Sequence, residues 1–158
     1  MMRITRLVVV LVGTLVVAAC GVKSRPLPPE LVQPEPPTSL VAASRADGVR
    51  LTWRRPTKYS GGKHMRDLGG FEIDRATGAD GLEFGRVGTV ELTDQTRFRQ
   101  ERMMEWTDTS AVAGTTYRYR VVAYTVDGDR STPGGPVTIE HHAVREVTPP
   151  APASRPAH

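Results

Sequence analysis

Between residues 38 and 140 the apolar positions recur with a period of two. Val49, Leu51 and Trp53 alternate with Arg50 and Thr52, and Phe71 and Ile73 alternate with Glu72 and Asp74. Tyr117, Tyr119, Val121 and Ala123 alternate with Arg118, Arg120, Val122 and Tyr124. On an extended chain successive side chains point to opposite faces, so each run predicts a strand with one buried side. Breaks at Ser60-Gly61-Gly62, Gly69-Gly70, Gly78 to Gly81 and Asp127-Gly128 separate the runs. A competing 3.6-residue pattern falls over Arg97 to Glu105. The predicted class is all-β, and the span of about 103 residues is the size of one immunoglobulin-like β-sandwich.

The flanks follow other rules. Arg3 and Arg6 precede Leu7 to Ala19, 13 residues interrupted only by Gly13 and Thr14. A basic start, a short apolar run and small closing residues read as a secretory signal. A spanning helix needs about 20 apolar residues to cross about 30 Å of hydrocarbon, so this run is too short for a permanent anchor. From Gly21 to Pro37 come Pro26, Pro28, Pro29, Pro34, Pro36 and Pro37. Proline removes backbone donors and holds φ near the polyproline II value, which predicts a stiff spacer. At about 3.1 Å per residue it reaches roughly 50 Å from a bilayer. Thr148 to His158 carries Pro149, Pro150, Pro152 and Pro156 among alanines, with nothing to bury. The predicted organisation is a signal over 1–19, a Pro-rich tether over 20–37, a β domain over 38–142 and a disordered tail over 143–158.

Composition narrows the chemistry. The 158 residues are 39% hydrophobic and 6% aromatic, and 21 basic against 17 acidic side chains give a net charge of +4. Loss of Arg3 and Arg6 with the signal leaves 19 basic side chains and a formal charge of +2, too small an excess to point to nucleic acid. One cysteine excludes an internal disulfide, a CxxC redox pair and a multi-cysteine zinc site. That residue, Cys20, directly follows Val17-Ala18-Ala19. These four residues, with the signal before them, resemble the lipobox of bacterial lipoproteins. The resemblance implies that Cys20 is a lipidation site, its thiol diacylglycerylated and its amine the mature N-terminus, with two or more acyl chains giving stable membrane attachment. The alternative is a small residue beside a conventional cleavage site. Gly21 stands where an aspartate commonly signals retention in the inner membrane, which implies the outer membrane, periplasmic face, in a cell that has one. Cys20-Gly21-Val22-Lys23-Ser24-Arg25-Pro26-Leu27 also resembles the mature start C-G-x-K-G-P-L of small proteobacterial lipoproteins, with Ser24-Arg25 replacing the glycine. One member of that group assists assembly of the outer-membrane lipopolysaccharide translocon.

A second resemblance covers nearly all of the central domain. Pro34-Glu35-Pro36-Pro37-Thr38-Ser39-Leu40 leads in, Trp53 followed by Pro56 ends the second strand, and Phe71-Glu72-Ile73 forms the third. Trp106-Thr107-Asp108-Thr109 is followed by Gly114-Thr115-Thr116-Tyr117-Arg118-Tyr119-Arg120-Val121-Val122-Ala123, then Asp127-Gly128 and Ser131-Thr132-Pro133. In this order the chain resembles the fibronectin type III domain: its P-x-P-x-x-L lead, core tryptophan, tyrosine-corner strand and final hairpin. The resemblance implies a sandwich whose core holds Trp53, Phe71, Ile73, Trp106, Tyr117, Tyr119 and Val121. Ala111 and Ala113 stand where the family has leucine and proline, and Thr89 to Met103 is a long connection. Tyr117 fits the corner because its ring buries at a strand start while its hydroxyl bonds back to the preceding turn. Trp53 and Trp106 read as core rather than ligand platforms.

No G-x-S-x-G elbow, H-E-x-x-H pair or P-loop spacing occurs, so no catalytic residue is assigned and no enzyme is expected. His141 and His142 are adjacent, and neighbours on a strand face opposite ways, which predicts no shared metal ion. Asp127 and Asp129 around Gly128 read as turn residues. No cofactor is implied. The uneven feature is the connection Arg54 to Gly70, in which Arg54, Arg55, Lys58, Lys63 and Arg66 face only Asp67, a net +4. In such a sandwich the connections after the second, fourth and sixth strands share one pole with the incoming chain. The basic loop, the connection Thr89 to Met103 and the loop Thr125 to Pro133 are expected there together, as a candidate binding pole or an ordinary solvated loop. The expected function is a lipid-anchored, non-catalytic envelope module that binds another protein or an envelope polymer through its loops. The rival reading is an envelope-assembly accessory whose lipidated head, Cys20 to Leu27, does the work. The implied partners are the membrane, through the lipid, and an envelope protein or polymer; the oligomeric state stays open.

Overall fold

The alternation along the chain becomes seven strands in the structure, a computed structural model that describes Pro28 and residues 31–99 and 102–142. The signal, Cys20 and the tail over 143–158 lie outside the described residues. The strands are β1 Thr38–Arg45, β2 Gly48–Arg54, β3 Leu68–Thr77, β4 Gly85–Glu91, β5 Met103–Asp108, β6 Thr116–Thr125 and β7 Gly134–Glu140. One helical turn, α1 Asp94–Arg97, joins β4 to β5. Two antiparallel sheets result, ordered β1-β2-β5 and β4-β3-β6-β7. In the constant-type immunoglobulin sandwich the fourth strand joins the first sheet. Here it pairs with the third, Phe71 opposite Val90, and an ion pair fastens it: Arg86 of β4 reaches Glu72 of β3. Arg130 covers the same carboxylate at 2.9 Å, so Glu72 is buried although it lies on the outward face.

Inward-facing residues meet between the sheets. Val49, Leu51 and Trp53 come from β2, Phe71 and Ile73 from β3, and Tyr117, Tyr119, Val121 and Ala123 from β6, all buried. Trp53 and Phe71 pack edge to face, with 5.3 Å between centroids and 70° between planes, the arrangement that ring quadrupoles favour. Trp106 is only partly buried and closes one side of the sandwich: its indole lies over Gly88 of β4, where any Cβ would collide with it. Tyr117 makes the corner, its hydroxyl accepting the Val112 N–H at 3.0 Å. A polar joint crosses the sheets beside it. Asp108 of β5, 2% exposed, accepts from Arg75 of β3 at 2.7 Å and from the Tyr119 hydroxyl of β6 at 2.8 Å.

Two expectations change. The helical pattern over Arg97 to Glu105 is instead one turn further upstream, Asp94–Arg97, with the Thr93 hydroxyl accepting the Thr96 N–H at 3.3 Å. Met103 to Asp108 pairs with Arg54 to Val49 of β2, and that ladder outcompetes a helix too short to pass its nucleation cost. The domain also begins before residue 38. Pro34 and Pro37, assigned to the tether, are buried: the backbone beside Pro34 hydrogen-bonds to the β2–β3 connection, and Pro37 packs against Gly134 of β7.

Candidate functional site

β2 stops at Arg54 because Pro56, buried two residues on, cannot donate to a ladder. The chain then doubles back. The Tyr59 N–H donates to the Lys63 carbonyl at 2.9 Å and the Gly62 N–H to the Tyr59 carbonyl at 2.7 Å, with Gly62 at φ 80°, a conformation that favours glycine. The incoming chain lies along this turn: Ser60 N–H donates to the Gln33 carbonyl at 2.8 Å and Glu35 N–H to the Lys58 carbonyl at 3.0 Å. The loop after β6 joins through the Val126 N–H, which donates to the Asp67 carbonyl at 2.8 Å. This flank of the pole carries both signs, with Asp67, Asp127 and Asp129 near the exposed Lys58 and Lys63. The Tyr59 hydroxyl donates to Asp67 Oδ1 at 2.5 Å, and burial, that bond and the charges of Asp67, Asp127 and Asp129 push its pKa up to about 12.

The other flank is basic and concave. Arg55 spans from the end of β2 to the α1 turn, its guanidinium donating to the carbonyls of Thr96 at 3.2 Å and Arg97 at 2.5 Å. Its backbone N–H donates to the Arg102 carbonyl at 2.8 Å. Arg97 returns the link, with Nε donating to the Leu68 carbonyl at 3.0 Å and Nη1 3.2 Å from Asp94. Burial lowers the pKa of Arg55 from its ordinary value. Between the two segments lies a cleft of about 660 Å³. Met65 and Leu68 contribute its apolar surface; Arg55, Arg66, Arg97, Arg99 and Arg102 supply charge; His64 lines it as well, and Phe98 is 68% exposed. No aspartate or glutamate among the described residues lines it.

The five cations singled out in the sequence divide three ways. Arg55 and Arg66 line the cleft. Arg54 is exposed at the end of β2, paired with Thr38 and Met103. Lys58 and Lys63 are exposed on the turn that the incoming chain follows. Sequence reasoning missed His64, Arg97, Phe98, Arg99 and Arg102, although the run Arg97-Phe98-Arg99 behind the Thr93-Asp94 helix start was a usable signal. The two adjacent histidines share the Ser44 hydroxyl, His141 through its ring and His142 through its backbone, but their rings have separate surroundings. His141 is buried with Nδ1 2.7 Å from the Ser44 hydroxyl, and His142 is exposed.

No protein-family model matches the sequence, and no curated protein matches it. Solved structures do. The twitchin kinase region of C. elegans (Fn31-NL-kin-CRD-Ig26) aligns with a TM-score of 0.51 at 18% identity over 71% of this chain, which spans 17% of the twitchin chain. Domains from titin align with a TM-score of 0.45 at 21% identity, over 69% of this chain and 33% of that one. The FN1–FN3 domains of chicken CNTN1 align with a TM-score of 0.47 at 17% identity, over 69% and 32%. At these identities the likeness is one of fold. The twitchin match and the pairing of the fourth strand with the third agree on it: the described domain is an immunoglobulin-like β-sandwich of the fibronectin type III kind.

Proposed function

We propose that the protein is a lipid-anchored, non-catalytic adaptor of the bacterial cell envelope, binding a protein or polymer partner through the pole where its tether arrives. The observation that carries this reading is the path of residues 31–35 along Lys58 to Gly61, at the same pole as the basic cleft. A chain held by its N-terminus presents that pole toward the surface holding it. Cys20 is the anchor in this reading, and the guanidinium groups of the cleft, two of them fixed by backbone carbonyls, bind rather than react. A rigid sandwich with loops gathered at one end suits recognition.

The full chain tests both parts. Cells fed an alkyne fatty acid should label the wild type, and the label should disappear with Cys20→Ser; equal labelling of the serine variant ends the anchor reading. A photo-crosslinking residue at position 66 should capture a partner in intact cells, while one at position 79, in the β3–β4 turn at the opposite pole, should not. The reverse pattern ends the assignment of the pole.

A further inference from the structure

Carboxylates offset several arginines of the sheets: Arg75 is matched by Asp108, Arg86 and Arg130 by Glu72, and Arg120 by Asp74, whereas Arg45, Arg50, Arg54 and Arg118 on the strands make no ion pair among the described residues. In the cleft five guanidinium groups and the His64 imidazole converge from two segments, and among the described residues the one carboxylate partner is Asp94, on Arg97. Asp94 is itself 88% exposed and does not line the cleft. Arg55 and Arg97 are held by backbone carbonyls, which orient a guanidinium without cancelling its charge. Arg66, Arg99 and Arg102 make no ion pair among the described residues.

A concave wall of one sign focuses the potential and concentrates ions of the other. The planar fork of a guanidinium matches two oxygens of a phosphate. One phosphate can engage two forks; Arg66, Arg99 and Arg102 present theirs without an ion pair among the described residues, and Arg55 and Arg97, whose forks serve carbonyls, add charge beside them, so the wall suits more than one phosphate. The exposed Phe98 ring, among the lining residues, offers a flat apolar surface to the C–H face of a sugar. At about 660 Å³ the cleft is of small-ligand size. We propose that the cleft between the β2–β3 connection and α1 binds a multiply phosphorylated sugar, free or as the headgroup of a glycolipid. The arginines take the phosphates and Phe98 covers the ring. The inference rests on the pole being the binding end, and is independent of the lipid anchor.

The full chain, kept soluble in a non-ionic detergent, is titrated with glucose 1,6-bisphosphate and with inorganic tripolyphosphate, and again in mixed micelles doped with phosphatidic acid. Saturable one-to-one binding of the bisphosphate is expected. Arg66→Glu and Arg102→Glu, both exposed, should each weaken it about tenfold or more with an unchanged circular dichroism spectrum. Phe98→Ala should weaken the bisphosphate and spare tripolyphosphate. Lys58→Glu with Lys63→Glu, outside the lining, should change neither by more than about twofold. Tighter binding of the soluble sugar assigns a free ligand, and tighter binding of doped micelles that the bisphosphate displaces assigns a phosphate presented at a lipid surface. Binding lost equally in the lysine pair, or seen only on doped micelles and unaffected by Arg66→Glu, overturns the site. Failure of both soluble probes also overturns it. If crosslinking from position 66 persists in that case, the phosphate chemistry falls and the binding pole stands; if it is absent too, both fall.

Discussion

Replacing Asp108 by asparagine removes one charge and one acceptor from a position 2% exposed, and the consequence follows from its partners. Oδ1 accepts the Ser110 N–H at 3.0 Å and the Ser110 hydroxyl at 2.7 Å; Oδ2 accepts Tyr119 at 2.8 Å and Arg75 at 2.7 Å. An amide keeps one acceptor oxygen. Turned to Ser110, it leaves an NH2 group facing Tyr119, whose hydroxyl can rotate to accept, and Arg75, which can only donate. The variant therefore loses one charge-assisted bond, worth about 1.5–3 kcal/mol, and strands part of a cation. Arg75 keeps the Ser110 hydroxyl at 2.9 Å and the Tyr117 ring at 4.8 Å, which limits the damage. A loss of about 2–3 kcal/mol is expected, out of a total of about 5–15 for a domain. For a domain of this size that lowers Tm by about 10–20 °C.

The pH dependence supplies the sharper check. Burial alone would raise the Asp108 carboxyl, but the bonds from Ser110, Tyr119 and Arg75 and the Arg75 charge outweigh it and hold the pKa below 3.8. A carboxylate with a depressed folded pKa contributes stability that is complete above its unfolded pKa and is lost as pH falls through the folded one. Wild type should therefore lose stability below about pH 4 that the variant never had, and their urea unfolding curves, followed by tryptophan fluorescence, should converge on acidification. A variant within about 0.5 kcal/mol of wild type at neutral pH, or a gap that does not narrow in acid, refutes the joint.

Other consequences are as direct. Tyr117→Phe strips the Val112 N–H of its acceptor; a loss of about 1–3 kcal/mol and faster hydrogen exchange at the Val112 amide are expected. Gly88→Val should eject the Trp106 ring and shift its fluorescence to the red, whereas Gly85→Val on the same strand, with open space around its Cβ, should leave the emission unchanged. In ultraviolet titration Tyr59 should ionise near pH 12, and Asp67→Asn should bring it down toward the ordinary phenol value.

Legibility tracked burial. β2, β3 and β6 stood out because each turns an apolar face into the core, as Trp53, Phe71 and Tyr119 show with no exposed surface. β4 did not: Val87 and Val90 are three residues apart and only partly buried on an edge strand, so the alternation is too faint to set bounds. β1 is similar, with small residues and an exposed Val41. At the site, charge density picked out Arg54 to Arg66, but composition carries no direction, and the β2 ladder and the incoming chain send Arg54, Lys58 and Lys63 elsewhere. The cleft itself exists because Arg55 bonds to carbonyls 41 and 42 residues away, a pairing that no local pattern encodes.

These contacts also divide the molecule by role along its length. β5 runs from Met103, opposite Arg54 at the cleft end, to Asp108, opposite Val49 at the far end. Tyr117 and Tyr119 lie at the start of β6, so the corner and the polar joint fasten the far end, away from the arginines. Exposed cleft residues such as Arg66 and Arg102 can then be exchanged without touching what holds the sheets together. The reverse also follows: acid weakens the far end by protonating Asp108, while arginine keeps its charge throughout. The guanidinium groups of the cleft do not titrate in acid, so weakening of bisphosphate binding at about pH 6 belongs to protonation of the ligand's phosphates, and only a further loss below about pH 4 should run in step with unfolding.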